Sequence, residues 1–323
     1  MIQNIICVVG PTASGKTRLA VELAKAYDGE VVSCDSMQLY RRMNVGTAKP
    51  TREEMQGIPH YMIDILEPAE PFSVGRYVEM ADPIVQDILR RGKTCIVCGG
   101  TGLYVDSLMA GRTFAPFPET GKRQELEELA REQGIEAVLQ MLTAFDPDSA
   151  ARLHPSDQRR IIRAAEVYLE TGKTITQHNL ETQAVPPKYH PLWLGLDFVD
   201  RAELYARIDR RVEIMVEDGL LDEIRGLLAE GIPPTATSLQ AIGYKEPMAA
   251  LRGELTMEQA VAKIQQESRR YAKRQLTWFR RNREIHWIFA CEPYSFAAVW
   301  QQACEWIENA AENSPSGSTV GLR

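Results

Sequence analysis

Short apolar runs alternate with helical stripes through the first third of the chain. Ile5–Val9 is a compact apolar run that enters a glycine-rich turn, and a helical pattern follows with Leu19, Ala20 and Leu23 on one face. Val31-Val32-Ser33-Cys34 reads as a second strand ending at Asp35, and Thr94–Cys98 as a third ending at Gly99-Gly100. Strands of this kind separated by helices predict a parallel α/β sheet, whose ligands gather beyond the carboxyl ends of the strands.

From about Gly111 the pattern changes. The stretch Phe114-Ala115-Pro116-Phe117-Pro118 is linker-like. Lys122–Gln133 reads as an amphipathic helix with Leu126, Leu129 and Ala130 inward and Gly134 just past its end. A second helix runs through Leu142, and Pro155-Ser156-Asp157 opens a third that Gly172 closes. Strand signals return at Leu192–Phe198. Residues 113–190 are therefore expected to form a helical insertion domain, and residues 1–112 and 191–312 a discontinuous α/β core. Arg201–Glu230 reads as one helical stretch, with Leu204, Ile208, Val212 and Met215 along its buried stripe. Thr256 and Gln259 resemble a capping box opening a long helix; Ile285–Ala290 reads as a late strand and Ser295 as the cap of a final helix. The Ser/Gly-rich residues 313–323 are expected to be a disordered tail.

Composition narrows the options. With 323 residues, 44% hydrophobic and 25% charged, the chain is long enough for two ordinary globular domains. A net charge of −7 excludes a uniformly basic nucleic-acid binder, so any such binding must be local. No apolar run approaches the ~18 residues of a membrane span, and Ile5–Val9 is too short for a secretory signal. Six scattered cysteines suit a reducing, cytoplasmic setting. The Cys95 and Cys98 pair lies inside a strand-like run and reads as buried thiols rather than a metal or redox site.

Candidate chemistry begins at Gly10-Pro11-Thr12-Ala13-Ser14-Gly15-Lys16-Thr17, which fits G-x-x-x-x-G-K-[ST] between a strand and a helix. A di- or triphosphate needs many fixed donors. Backbone N–H groups of the turn and the following helix supply them, Lys16 adds positive charge, and Thr17 offers a hydroxyl to magnesium. Hydrolysis of a nucleotide also needs a strand-end acid for the metal, yet Thr94–Cys98 ends in Gly99-Gly100-Thr101-Gly102. A diphosphate carried by another molecule is thus an option beside a nucleotide. Asp35 is the strand-end acid near this cleft: it could ligate magnesium, orient water, take a proton from an acceptor, or simply cap a helix. Thr101 could hydrogen-bond a ligand or serve only the geometry of its turn.

Two basic clusters stand out against the acidic whole. Ser268–Arg283 holds seven cations (Arg269, Arg270, Lys273, Arg274, Arg280, Arg281 and Arg283) and no acid. It could grip a polyanion or be a solvated helix face, and Trp278 and Phe279 within it could stack on bases or pack in the core. Arg159, Arg160 and Arg163 form the second cluster, with 159 and 163 on one helix face.

These residues together resemble the bacterial tRNA dimethylallyltransferase (tRNA isopentenyltransferase) family. The match runs through Gly10–Thr17, Asp35-Ser36-Met37-Gln38, Gly46–Pro50, Gly99–Tyr104, His154–Ala164, Gln240-Ala241-Ile242-Gly243-Tyr244-Lys245 and Lys273–Arg280, in family order. Two departures are visible. The family often has paired histidines where this chain has His60-Tyr61, so no catalytic role falls to His60. Ser156 replaces a motif asparagine, an exchange expected to be harmless at a helix N-cap.

The resemblance implies a P-loop NTPase-like core with a helical insertion. It implies transfer of a dimethylallyl group from dimethylallyl diphosphate to the exocyclic amine of the adenosine on the 3′ side of the tRNA anticodon. Gly10–Thr17 and Arg211 would hold the diphosphate, with Mg2+ at Thr17; Asp35 would take the proton and Thr101 would orient the amine. Contacts to tRNA would come from Asp35, Ser36, Met37, Gln38, Thr101 and Arg123. Further contacts would come from Arg159, Arg160, Ile161, Ile162 and Arg163, from the block Gln240–Lys245, and from Lys273, Arg274, Trp278 and Arg280. One chain could meet these contacts, so a monomer is expected. A small-molecule kinase or a free-nucleotide isopentenyltransferase would share the phosphate turn. A kinase, however, would not need the seven-cation run or the helical insertion, and a free-nucleotide enzyme would be expected to lack the insertion's arginine cluster. A non-catalytic RNA-binding module would have no use for the turn and Asp35 together.

Overall fold

The computed structural model describes residues 4–112, 114, 120–291 and 293–312. The chain begins with β1 (Ile5–Val9), α1 (Lys16–Ala26) and β2 (Gly29–Ser33). There follow α2 (Arg52–Met55), β3 (His60–Tyr61), α3 (Val74–Arg90), β4 (Thr94–Gly99) and α4 (Gly102–Ala110). Next come α5 (Lys122–Gln133), α6 (Ile135–Phe145), α7 (Pro147–Arg152), α8 (Gln158–Thr171) and α9 (Ile175–Ala184). The chain returns through β5 (Leu192–Phe198), α10 (Arg201–Glu217), α11 (Leu220–Ala229), α12 (Lys245–Leu251), α13 (Met257–Phe279), β6 (His286–Ala290) and α14 (Phe296–Glu312).

All six strands are parallel, in the order β3-β2-β4-β1-β5-β6. This is the parallel sheet that the short apolar runs predict, and its P-loop-like arrangement is the one the resemblance implies. The alternation of side chains explains how it is covered. Ile5, Cys7 and Val9 of β1 join one apolar cluster, while Ile6 and Val8 join the other. A strand apolar on both faces needs helices on both, which is why these runs are continuous rather than alternating. The same alternation separates Cys95 from Cys98: Cys95 belongs to the first cluster and Cys98 packs on the second. All six cysteines are free.

The chain leaves β1 toward β4 and β2 on one side and reaches β5 on the other. A crevice is thereby left beyond the end of β1, where Gly10 begins the phosphate turn. Gly10 has φ 141°, and a Cβ there would meet the Leu196 carbonyl oxygen of β5 at 2.5 Å, so only glycine fits.

The chain divides into two compact units, residues 1–111 with 188–323, and residues 112–187. In the second unit Leu126, Ile135, Val138, Ile161, Ile162 and Ala165 form a separate apolar cluster. The expected end of the insertion at residue 190 is corrected to 187. Tyr189 N–H donates to the Met109 carbonyl at 3.0 Å, and Lys188 pairs with Asp82, so both belong to the sheet unit.

Other expectations are also revised. The stretch Arg201–Glu230 is two helices, broken at Asp218-Gly219, where Gly219 takes φ 93°. Ser156 is not an N-cap: Asp157 holds that position, and the Ser156 hydroxyl bonds His154 Nδ1 at 2.8 Å. The short helices α7 and α9 and the two-residue strand β3 lie where no periodicity could mark them. The Thr256 capping box forms as expected, and Ser295 Oγ accepts from Ala298 N–H. The tail 313–323 and most of the linker-like stretch lie outside the described residues.

Candidate active site

The phosphate turn sits between β1 and α1 because a buried strand delivers the chain to glycine and the helix starts at Lys16. Thr12, Lys16 and Thr17 line one cavity together with Ser33, Asp35, Gln38, Thr47, Arg211, Tyr271 and Gln275. Distant segments therefore converge: the turn, the end of β2, the Thr47–Pro50 stretch, β3 through His60, the loop after β4, helix α10 through Arg211, and helix α13 through Tyr271 and Gln275.

Cations in this cavity are held by neutral groups. Lys16 Nζ donates to the Pro11 carbonyl. Burial pushes its pKa down to about 8, with Arg211 also lowering it and Asp35 acting in the opposite sense. Arg211 donates to Thr12 Oγ1 at 3.1 Å and to the Ala48 carbonyl at 3.3 Å. Burial lowers its pKa as well, and Asp35 opposes that shift. Among the described residues neither Lys16 nor Arg211 makes an ion pair, which leaves a positive site ready for an anion.

Asp35 has a structural duty beside any chemical one. Its Oδ1 accepts from Met37 N–H at 2.8 Å and Gln38 N–H at 3.3 Å, closing the turn after β2. The helix-capping alternative thus becomes a turn, with Oδ1 committed to it. Thr101 lies at the N-cap of α4 and does not line the cavity. Its Oγ1 accepts from Ser36 N–H at 3.2 Å, tying it to the Asp35 turn.

A second cavity adjoins the first. It shares Thr12, Asp35, Thr47, Arg211 and Tyr271, and adds Ser36, Met37, Ala241, Ile242 and Gly243. Asp35 is therefore common to a cation-rich cavity and to one lined by the Gln240–Lys245 segment. Gln240 itself is exposed and donates to the Pro234 carbonyl, and Lys245 is exposed. Tyr244 is corrected: it is 0% exposed, its hydroxyl bonds Glu223, and it cannot reach a polymer.

The basic run on and after α13 divides by partner. Arg269 pairs with Asp209, Arg270 with Glu267 and Arg280 with the buried Asp197. Lys273, Arg274, Arg281 and Arg283 are exposed and make no ion pair among the described residues. Phe279 is core. Trp278 is half-buried, donates to Asp106 Oδ2 at 2.8 Å and lies against Gly102, so packing rather than open stacking is its observed role.

In the helical unit, Arg152, Arg159, Arg160 and Arg163 line a groove with Leu153, Ala164 and Ile175. Arg160 lies 3.8 Å from Asp157, while Arg123 and Arg163 both reach Glu166. Ile161 and Ile162 are corrected: at 0% and 7% exposure they form the unit's own core, because a helix that presents arginines outward must turn its apolar face inward.

Among the residues that sequence reasoning missed, Tyr271 and Gln275 do the most to shape the cavity. Gln275 Oε1 accepts from Thr12 N–H at 2.9 Å and its Nε2 donates to the Gly100 carbonyl at 3.0 Å, bridging the phosphate turn and the loop after β4. Burial, followed by the charge of Asp35, raises the Tyr271 pKa to about 12. Both lie one helical turn apart on α13, and this spacing within the basic run was the available signal.

Fold and turn together define a P-loop-like α/β protein. The IPP transferase family matches residues 38–282, and the isopentenyl transferase family matches residues 3–66. The tRNA dimethylallyltransferase of Thermoanaerobacter sp. (strain X514) is 47% identical over 291 residues, covering 90% of this chain and 92% of its own. That of Caldanaerobacter subterraneus subsp. tengcongensis is 45% identical over 309 residues, covering 95% and 98%. Among solved structures, the tRNA isopentenylpyrophosphate transferase of Bacillus halodurans superposes with TM-score 0.70 at 40% identity, covering 95% of this chain and 98% of that one. A eukaryotic dimethylallyltransferase acting on tRNA gives TM-score 0.82 at 29% identity, covering 96% and 80%. The chain belongs to the tRNA dimethylallyltransferase (IPP transferase) family and is an enzyme of the transferase class.

Proposed function

We propose that this protein transfers a dimethylallyl group from dimethylallyl diphosphate to the exocyclic amine of the adenosine 3′-adjacent to the tRNA anticodon, releasing diphosphate. The observation that carries this reading is that Lys16, Thr17, Asp35 and Arg211 line one cavity, and that Asp35 also lines its neighbour. In this reading Gly10–Thr17 and Arg211 bind the diphosphate and stabilise it as it leaves. Asp35 accepts the amine proton through Oδ2, while Oδ1 keeps the turn. Thr101 acts on the acceptor only indirectly, by steadying the Asp35 turn through its bond from Ser36 N–H. The adenine amine is a weak nucleophile, so alignment and leaving-group stabilisation carry most of the rate.

Magnesium fits the residues present. Thr17 offers a hydroxyl in the cavity, and Asp35 lines the same space. Among the described residues no cluster of three or more His, Cys, Asp or Glu forms a complete metal cage. Magnesium takes most of its ligands from phosphate and water, so one hydroxyl and one carboxylate are enough for the protein to offer it. When bound, it would supply charge neutralisation to the departing diphosphate.

The tRNA would be held by Arg159, Arg160, Arg163 and Arg123 of the helical unit, and by Lys273, Arg274 and the Gln240–Lys245 segment of the sheet unit. The target base must leave the loop stack to reach the cavity, at a cost of a few kcal/mol that the backbone contacts offset. Among the described residues no helix is long and apolar enough to cross a membrane. Six free cysteines suit a cytoplasmic enzyme, and we infer that it acts as a monomer because one chain carries all the candidate contacts. Incubation with radiolabelled dimethylallyl diphosphate, Mg2+ and either bulk tRNA or free AMP tests the reading: label should enter tRNA. Label in AMP alone would reassign the enzyme to free nucleotides.

A further inference from the structure

The turn 44–48 is clamped by a residue that touches neither cavity. Glu223, in the first turn of α11, accepts three consecutive backbone N–H groups. Its Oε2 takes those of Asn44 at 2.7 Å and Val45 at 2.8 Å, and its Oε1 takes that of Gly46 at 3.1 Å. The buried Tyr244 hydroxyl donates to the same Oε1 at 2.6 Å. Four donors on one carboxylate saturate it, and charge-assisted bonds of this kind are the strong ones. Gly46 is required beneath the clamp, because a Cβ there would lie 2.5 Å from the Tyr244 ring.

What the clamp fixes lies just downstream. The Ala48 carbonyl accepts from Arg211 Nη2 at 3.3 Å and from Gln38 Nε2 at 3.2 Å. Arg211 then reaches Thr12 of the phosphate turn. A relay of hydrogen bonds and backbone therefore runs from Glu223 through the 44–48 turn to Arg211. We infer that Glu223 is a positioning residue: it holds this turn so that Arg211 stays aimed at the diphosphate. The inference rests on the reading of Arg211 as a diphosphate ligand.

Glu223→Gln is close to isosteric but sets an NH2 group against the donors that now meet Oε2. With the full-length protein, Mg2+ and inorganic pyrophosphate in a titration calorimeter, this variant should bind roughly tenfold more weakly, as is usual for loss of an orienting partner. Arg211→Ala should weaken binding at least as much, and the double variant should bind no more weakly than Arg211→Ala alone. A purely structural role predicts instead that the Glu223→Gln factor multiplies through in both backgrounds; that result, or wild-type affinity in Glu223→Gln, overturns the inference. If Glu223→Gln does not fold, Tyr244→Phe removes one of the four donors and should weaken binding roughly twofold, with unchanged affinity again overturning the inference. Wild-type protein that binds pyrophosphate no better than Lys16→Ala would remove the diphosphate reading itself, and this inference with it.

Discussion

The cations of the phosphate cavity and those of the basic run are held in opposite ways. Lys16 and Arg211 are half-buried, bonded to carbonyls and a hydroxyl, and without an acid partner among the described residues. Arg269, Arg270 and Arg280 of the run are each neutralised by an acid, while Lys273 and Arg274 stay exposed. A desolvated cation without a counter-ion is costly to keep and gains most when one small anion arrives. An exposed cation costs little, gains little singly and acts by number, through release of counterions from a polymer. The first arrangement suits a compact diphosphate and the second an RNA backbone.

The sharpest test of this division lies between the two groups, at Asp35. Asp35→Ala should lower the transfer rate by about 10²–10⁴, while binding of an anticodon stem-loop, measured by filter retention, changes less than about twofold. Equal loss of both would show that Asp35 serves RNA binding instead.

A smaller effect is expected from Lys16. Its folded pKa of about 8 lies below the ordinary lysine value. Affinity for dimethylallyl diphosphate should therefore fall as pH rises through 8, by roughly tenfold at pH 9. The sign for stability is the reverse. Between pH 8 and the ordinary lysine range the unfolded chain keeps a proton that the folded chain has lost, so stability rises with pH there. Lys16→Met should abolish both dependences; a pH profile unaltered in that variant would detach them from Lys16.

Next in size is the double variant Lys273→Ala/Arg274→Ala. It should weaken tRNA binding several-fold and make the log–log salt dependence shallower by about 1–2, without altering affinity for pyrophosphate. An unchanged salt slope would take these two residues out of the RNA surface.

Arg280→Ala should do least to RNA. Arg280 faces the buried Asp197, which Arg201 also reaches. The expected outcome is a loss of about 1 kcal/mol in thermal unfolding, with tRNA affinity within about twofold. A large loss of affinity at unchanged stability would return Arg280 to the binding surface.

The sequence made legible whatever was local. β1, the phosphate turn and α1 are contiguous, and the capping box at Thr256 spans a single turn, so composition and spacing announce them. The Asp35 turn was visible as a carboxylate at a strand end. The partners that complete the site were not: Gln275 meets Thr12 across 263 positions, and Glu223 meets Gly46 across 177. No pattern within either segment marks such a pairing, which exists only once the sheet has brought the segments together. Motif position also misled where it crossed a buried face, as at Ile161, Ile162 and Tyr244. A matching block carries core residues along with surface ones, and only burial separates them.

The fit of Gly10 against Leu196 bears on the order in which the protein can mature during synthesis. The floor under the first glycine belongs to β5, which is made only after the whole helical unit has been translated. While the chain is still on the ribosome, β1 has emerged without one of its two neighbours, and the anion cradle cannot take its final shape. Nascent chains halted before β5 should therefore fail to be retained on a phosphate resin, and retention should begin only when that strand becomes available to dock.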